Sequence, residues 1–120
     1  MRPDLRQLTA VFAGGAVGTA LRALLAEAVA HDPGAWPWAT LAANLMAAGL
    51  LAHLTAHPPR RWWLLGPGLC GGLSTFSTVQ IELLWMLDAG HVALAALYTT
   101  VSVAAGLAVV AAVRGRGARA

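Results

Sequence analysis

Four long apolar stretches, separated by short connectors, account for most of the 120-residue chain. They cover residues 8–30, 36–56, 62–87 and 92–113. Because the hydrocarbon core of a bilayer is about 30 Å thick and takes roughly 20 apolar residues per helix, each stretch is long enough to cross a membrane. The pattern predicts an all-α membrane protein in which residues 1–120 form a single domain of four transmembrane helices.

The composition places the function inside the membrane. Hydrophobic residues make up 58% of the chain and charged residues only 11%, and the connectors leave no room for a soluble domain. Trp36 and Trp38 begin the second stretch, where amphipathic rings are expected at the membrane interface. The first stretch also has features of a secretory signal, but it continues past Arg22 for longer than such signals do, which favours a membrane span.

The basic residues predict the orientation. Seven of the eight fall on one side of the four predicted spans, and the opposite connectors, residues 31–35 and 88–91, contain none. The positive-inside rule therefore places both termini in the cytoplasm of a multi-pass protein of the cell membrane. The arginine-rich tail is too short, and too poor in aromatic residues, to indicate nucleic-acid binding. The seven are Arg2, Arg6, Arg60, Arg61, Arg114, Arg116 and Arg119.

The third stretch contains an unusual polar run, "GLCGGLSTFSTVQIE", at residues 68–82. Gly71-Gly72 predicts a break in the helix, and carbonyls freed by a break can bind a hard cation. The run continues with hydroxyl groups and with Phe76, whose ring edge is the positive part of its quadrupole. These are uncharged groups that suit an anion. The hydroxyl residues are Ser74, Thr75, Ser77 and Thr78.

The other helices add a few polar groups. Asn44 either joins two helices or offers its N–H groups to an anion. Tyr98 and Ser102 stand four positions apart, on one helix face. Glu82 either pairs across subunits or faces water. No nucleophile with a base accompanies these groups, which favours a carrier or channel for a small anion over an enzyme.

The first stretch has a small-residue face that predicts close helix packing. It consists of Gly14, Gly15 and Gly18, followed by Arg22 one helical turn later. A charged residue at this depth is costly and therefore expected to have a partner.

Four segments together resemble the CrcB/Fluc fluoride channels, small four-span proteins that work as antiparallel dimers. They are "GGAVGTALR" at residues 14–22, "WATLAANL" at 38–45, the run at 68–82, and the pair Tyr98 and Ser102. The resemblance covers nearly the whole chain and implies a passive fluoride pathway that reduces fluoride toxicity.

The resemblance also implies roles for single residues. Carbonyls of Gly71 and Ser74 would hold a structural sodium ion, which is not transported, on the axis of the dimer. The fluoride pathway would be formed by Asn44, Phe76, Ser77, Thr78, Tyr98 and Ser102.

Two positions depart from the family pattern. Val79 stands where a second pore phenylalanine is usual, and Gly106 replaces a hydroxyl residue. With the one-sided arginines, they suggest pairing with a homologous, oppositely oriented subunit. An alternative is a non-conducting structural partner of such a channel. A small multidrug exporter is a poorer match, because the first helix has only Glu27, at its border, as a carboxylate.

Overall fold

The computed structural model describes Arg2 and residues 4–119, and the part of the chain that it describes is helical with no β-strand. Helix α1 spans Leu5–Ala28 and α2 spans Trp38–Ala56. Helix α3 consists of a π-helical part, Leu64–Cys70, that continues directly as Gly71–Leu73. Helix α4 spans Ser77–Asp88, and α5 spans Val92–Arg119.

Three of these helices, α1, α2 and α5, are each long and apolar enough to cross a membrane. The predicted third stretch is divided between α3 and α4. Large apolar side chains are widely exposed on the outside, among them Phe12, Leu24 and Leu107. Such a surface suits lipid, in agreement with a transmembrane protein.

Helices α1 and α3 pack backbone against backbone through glycines. A methyl group at Gly14 would lie 2.9 Å from the amide nitrogen of Leu69, and one at Gly18 would lie 2.7 Å from that of Leu73. From the other side, a methyl at Gly72 would lie 2.9 Å from the Cα atom of Gly15. These separations leave no space for a side chain, so the small residues determine how closely α1 approaches α3.

The π-helical turn of α3 surrounds Pro67. Proline has no N–H group, so the carbonyl four residues earlier loses its helical donor. A locally wider turn is one way in which a helix accommodates such a residue. Gly66 and Gly68 flank the proline and are buried, which lets the widened turn lie against neighbouring groups.

The interruption of the third stretch lies at residues 74–76, not at Gly71-Gly72 as the sequence predicts. Gly71 is helical, with φ −64° and ψ −38°, whereas Ser74 is extended, with φ −77° and ψ 154°. The glycines stay helical because α1 supports them: Gly72 packs on Gly15, and Arg22 Nε donates to the Gly72 carbonyl at 3.2 Å.

Helices α4 and α5 form a hairpin. Gly90 adopts φ 80°, and its N–H donates to the Leu87 carbonyl. The N–H of His91 donates to the Met86 carbonyl at 2.8 Å. This Schellman motif ends α4 and reverses the chain. His91 Nδ1 also lies 3.3 Å from the carbonyl of Gly34, so the connectors before α2 and α5 meet at one end of the molecule.

Helix α5 packs chiefly against α2 and closes a core cluster with α4. The buried members are Leu41, Met86, Ala95 and Tyr98. Along the chain, the members of this cluster from α4 and α5 follow the break, whereas α1 and α3 precede it.

Candidate functional site

Asn44 of α2 holds the interrupted segment by its backbone. Its Nδ2 donates to the Thr75 carbonyl at 3.0 Å, and its Oδ1 accepts from the Thr75 amide at 2.7 Å. The two bonds replace the helical partners that Thr75 would otherwise have. A side-chain amide carries two N–H donors, so one donor of Asn44 remains beyond this pair of bonds.

The side chain of Thr75 starts α4. Its Oγ1 accepts from the backbone N–H of Thr78 at 3.2 Å, which is the bond that an N-cap residue makes. The same hydroxyl lies 3.1 Å from Thr78 Oγ1 and 3.4 Å from Ser77 Oγ. Three hydroxyl groups therefore cluster at the N-terminus of α4, directly after the break.

The break removes the helical donors of several carbonyl groups, among them those of Gly71 and Ser74. In a continuous α-helix the amide of residue 75 would donate to the carbonyl of residue 71, and the amide of residue 78 to that of residue 74. Here the Thr75 amide donates to Asn44, and the Thr78 amide donates to the Thr75 hydroxyl. The carbonyls of Gly71 and Ser74 are left without these bonds and are candidate oxygen ligands for a hard cation.

An open cavity of about 930 Å³ borders the break between α2 and α3. Its wall is mostly apolar, and the polar groups gather at the break, where Asn44, Gly71, Ser74 and Thr75 contribute to it. Phe76 lines the same cavity and is 74% exposed. The remaining lining residues are Ala47, Ala48, Leu51, Thr55, Trp62, Gly66, Pro67 and Cys70.

A second polar group lies inside the helix packing. Glu82 is only 3% exposed. One carboxylate oxygen accepts from Thr40 Oγ1 at 2.5 Å, and the other accepts from the Tyr98 hydroxyl at 2.9 Å. Neither expectation for Glu82, a free surface position or a partner in another subunit, describes this arrangement, because both oxygens are bonded within the chain.

The structure thus divides the residues predicted for a fluoride pathway into two groups. Asn44, Phe76, Ser77 and Thr78 lie at the break. The others belong to the core between α2, α4 and α5: Tyr98 is fully buried, and Ser102 follows one helical turn later with a buried Oγ that has no hydrogen-bond partner.

The two departures from the family pattern occupy different surroundings. Val79 is half-buried and packs against the core cluster that contains Met86 and Tyr98. Around Gly106 there is open space: nothing lies within 4 Å of where a side chain would begin. A larger residue at position 79 must therefore be accommodated by the core, whereas position 106 has no such restriction.

Three residues for which the sequence predicted no such role organise these groups. Thr75 was only one of several hydroxyl residues, yet it receives both Asn44 bonds and caps α4. Thr40 bonds Glu82, and Trp36 packs edge-on against Tyr98 with ring centroids 5.5 Å apart. The threonine before "FST" was a local signal for a helix N-terminus. The other two contacts join distant parts of the chain.

Comparison with known proteins identifies the family. Residues 9–115 match the family model described as CrcB-like protein, Camphor Resistance (CrcB). The chain belongs to the CrcB family. Among relatives of this CrcB chain is Fluoride-specific ion channel FluC 1 of Mycolicibacterium paratuberculosis, 49% identical over 87% of this chain and 84% of the relative.

More distant CrcB relatives carry the same kind of name. Fluoride-specific ion channel FluC 1 of Mycobacterium bovis is 46% identical over 87% of this chain and 84% of its own length. Fluoride-specific ion channel FluC of Bordetella avium is 39% identical over 85% of each chain. The match to the family model, residues 9–115, spans the positions of the break and of Glu82 in this chain.

Proposed function

We propose that this chain is a subunit of a fluoride-selective ion channel in the cell membrane, through which cytoplasmic fluoride leaves passively. The observation that carries the proposal is the break at residues 74–76, where Asn44 holds Thr75 and uncharged polar groups border an open cavity. The names of the relatives indicate the ion. A passive leak reduces toxicity because the neutral acid enters cells and ionises there. The role is transport and not catalysis.

The groups at the break suit a small, strongly hydrated anion. Such an ion must exchange its water for donors in the protein, and a pore must bind it weakly enough to release it. The free N–H of Asn44, the hydroxyls of Ser77 and Thr78, and the ring edge of Phe76 are uncharged donors of this kind. Phe76 is exposed on the cavity, so an ion there could contact its edge.

Tyr98 and Ser102 continue this pathway through the core. The Tyr98 hydroxyl donates to Glu82, so it becomes available to fluoride only when the anion replaces the carboxylate as its acceptor. The buried hydroxyl of Ser102 has no hydrogen-bond partner among the described residues. The pathway therefore passes from donors already free at the break to a donor that must change partners.

A structural sodium ion, not transported, is proposed at the carbonyls of Gly71 and Ser74. Support comes from the diverted amides of Thr75 and Thr78, which leave these two oxygens without their helical donors. Two carbonyls are too few ligands for a hard cation. A homologous subunit across a pseudo-twofold axis would supply two more. When bound, the ion would fix the two breaks against each other.

The second subunit is proposed to lie antiparallel, with the cavity at the interface. The cavity opens on the surface of the chain, has a mostly apolar wall, and includes the exposed ring of Phe76. The seven arginines on one side favour one orientation of this chain, with both termini in the cytoplasm. An antiparallel dimer then needs a homologous partner with the opposite orientation. A C-terminal reporter should then report cytoplasm only, and an equal population outside would remove the need for a different partner.

A non-conducting partner subunit is a second candidate, and Val79 is the observation that favours it. The side chain packs on the core cluster and supplies no aromatic edge to the pathway. Substituting Val79→Phe separates the two proposals. Fluoride flux that appears only in the variant would indicate a pore lost at this position, whereas flux in the unchanged protein would rule out the non-conducting role.

Growth on fluoride tests the proposed function in cells. A bacterial strain without its own fluoride export system would express this chain, alone or with an oppositely oriented homologue, on medium containing sodium fluoride. We expect restored growth in at least one of these strains, and no effect of the chain on growth in sodium chloride. If neither strain grew although the chain was present in the membrane, the proposal would be wrong.

A further inference from the structure

Two buried polar side-chain atoms in the described part of the chain have no hydrogen-bond partner: Trp36 Nε1 and Ser102 Oγ. Both belong to residues next to Tyr98. The Trp36 ring meets the Tyr98 ring nearly at right angles, 78° between planes, and Ser102 follows Tyr98 by one turn of α5. A buried polar group without a partner is destabilising, so a pair of them around one side chain requires an explanation.

Trp36 is held inward by its position in the chain. It precedes Pro37, which is buried, and a residue before proline is restricted to extended conformations. The next tryptophan, Trp38, is 61% exposed and lies where a membrane-interface ring is expected. The sequence suggested the same interfacial role for both rings, but the structure gives Trp36 a different one, packed against the core cluster.

The missing partner of Trp36 must be an acceptor. An indole N–H can only donate a hydrogen bond. The carboxylate beside Tyr98, Glu82, already accepts from Thr40 and Tyr98. Ser102 offers a hydroxyl that can donate as well. A small anion is an acceptor that both unpaired groups lack, and binding by such uncharged donors would leave it free of a fixed positive charge that could trap it.

We propose that the indole N–H of Trp36 is a fluoride-binding donor of the pathway, next to Tyr98 and near the ends where α2 and α5 begin. This inference rests on the proposed channel function and adds a residue to it. The ring of Trp36 packs on Tyr98, while its N–H replaces part of the hydration shell of the ion. We expect fluoride to bind more tightly than chloride there, because N–H and O–H donors interact more strongly with the smaller ion and thereby offset its larger cost of dehydration.

Indole N–H signals provide the test. The purified protein, labelled with ¹⁵N at its five tryptophans, would be titrated with sodium fluoride and, separately, with sodium chloride by NMR. The signal that is missing from the spectrum of Trp36→Phe belongs to Trp36. Single Trp→Phe variants at the other four positions assign the other four signals, so the fifth signal must again be that of Trp36. We expect the Trp36 signal to move downfield saturably with fluoride and much less with chloride, and the Trp38 signal to stay in place.

Flux measurements give a second, independent readout. Trp36→Phe keeps an aromatic ring against Tyr98 and removes only the N–H group, and Trp38→Phe is the matched control on the exposed neighbour. We expect fluoride efflux to fall about tenfold in the first variant, as for one lost hydrogen bond to a charged group, and to remain unchanged in the second.

The outcomes separate this inference from the channel proposal. A Trp36 signal that does not respond to fluoride, or responds equally to chloride, would overturn the inference even if the unchanged protein conducts. A fluoride-specific shift in a protein that conducts neither alone nor with an oppositely oriented homologue would uphold the donor and contradict the proposed channel function.

Discussion

Replacing Asn44 tests whether this residue supports both the break and the conduction of fluoride. In Asn44→Ala, the Thr75 amide and carbonyl lose bonds of 2.7 and 3.0 Å. A buried backbone group left unpaired costs about 1–3 kcal/mol, whereas side-chain hydrogen bonds within membranes average only about 0.6 kcal/mol. Since the cavity lets water reach part of the site, we expect about 1–2 kcal/mol for the pair.

A loss of about 1–2 kcal/mol changes the equilibrium ratio between the arranged and the released break about five- to thirtyfold. Asn44→Ala also removes the N–H proposed to contact fluoride, so we expect it to lower fluoride efflux by about tenfold. Asn44→Asp keeps the acceptor for the Thr75 amide but removes the donor and adds a negative charge, so it should lower efflux further while the Thr75 amide stays bonded.

The assay is fluoride efflux from liposomes under conditions in which the unchanged chain conducts, combined with hydrogen exchange at the Thr75 amide. Met46→Ala is the matched control, because Met46 lies on the same helix and is 57% exposed. We expect faster exchange at Thr75 in Asn44→Ala only. If efflux in Asn44→Ala equalled that in Met46→Ala, the prediction would be wrong, because the bonds from Asn44 to Thr75 would then be unnecessary for conduction.

Other predictions concern packing, the buried carboxylate and the cation. Gly14→Ala should lower the unfolding temperature in detergent, because its methyl would lie 3.0 Å from the Gly68 Cα atom. Gly106→Ala, which places its methyl in open space, should leave the unfolding temperature unchanged. Equal unfolding temperatures for the two variants would contradict the close contact of α1 with α3. Glu82→Ala leaves the Thr40 and Tyr98 hydroxyls unpaired. We expect it to lower the free energy of unfolding, measured in a denaturant titration, by about 1–3 kcal/mol. An unchanged free energy of unfolding would mean that water replaces the carboxylate. Replacing sodium by a large organic cation on both sides should reduce efflux, and unchanged efflux would speak against the structural ion.

The apolar pattern predicted most of the fold because membrane spans are determined by local composition. The glycine spacing of α1 likewise predicted close packing, since any side chain at Gly14 or Gly18 would meet the α3 backbone. The position of the break could not be predicted from local sequence in the same way. Local helix propensity pointed to Gly71-Gly72, but the chain departs from the helix where the Thr75 amide turns to Asn44, 31 positions away.

The candidate site was predicted in its residue types more than in its contacts. Glu82 was visible as a buried-segment carboxylate, but its partners Thr40 and Tyr98 lie 42 and 16 positions away. Trp36 and Trp38 looked alike in the sequence, and only the fold directs one inward and the other outward. Such pairings depend on how whole helices pack, which local sequence patterns do not determine.

Fluoride efflux from liposomes that contain the purified chain, followed with a fluoride electrode, shows whether the chain forms a fluoride channel. The liposomes would hold the chain alone or with an oppositely oriented homologue, and chloride-loaded liposomes would serve as the control. We expect rapid efflux of fluoride with little efflux of chloride in at least one of the two preparations. Equal efflux of both anions, or no fluoride efflux in either preparation, would contradict the proposed channel function.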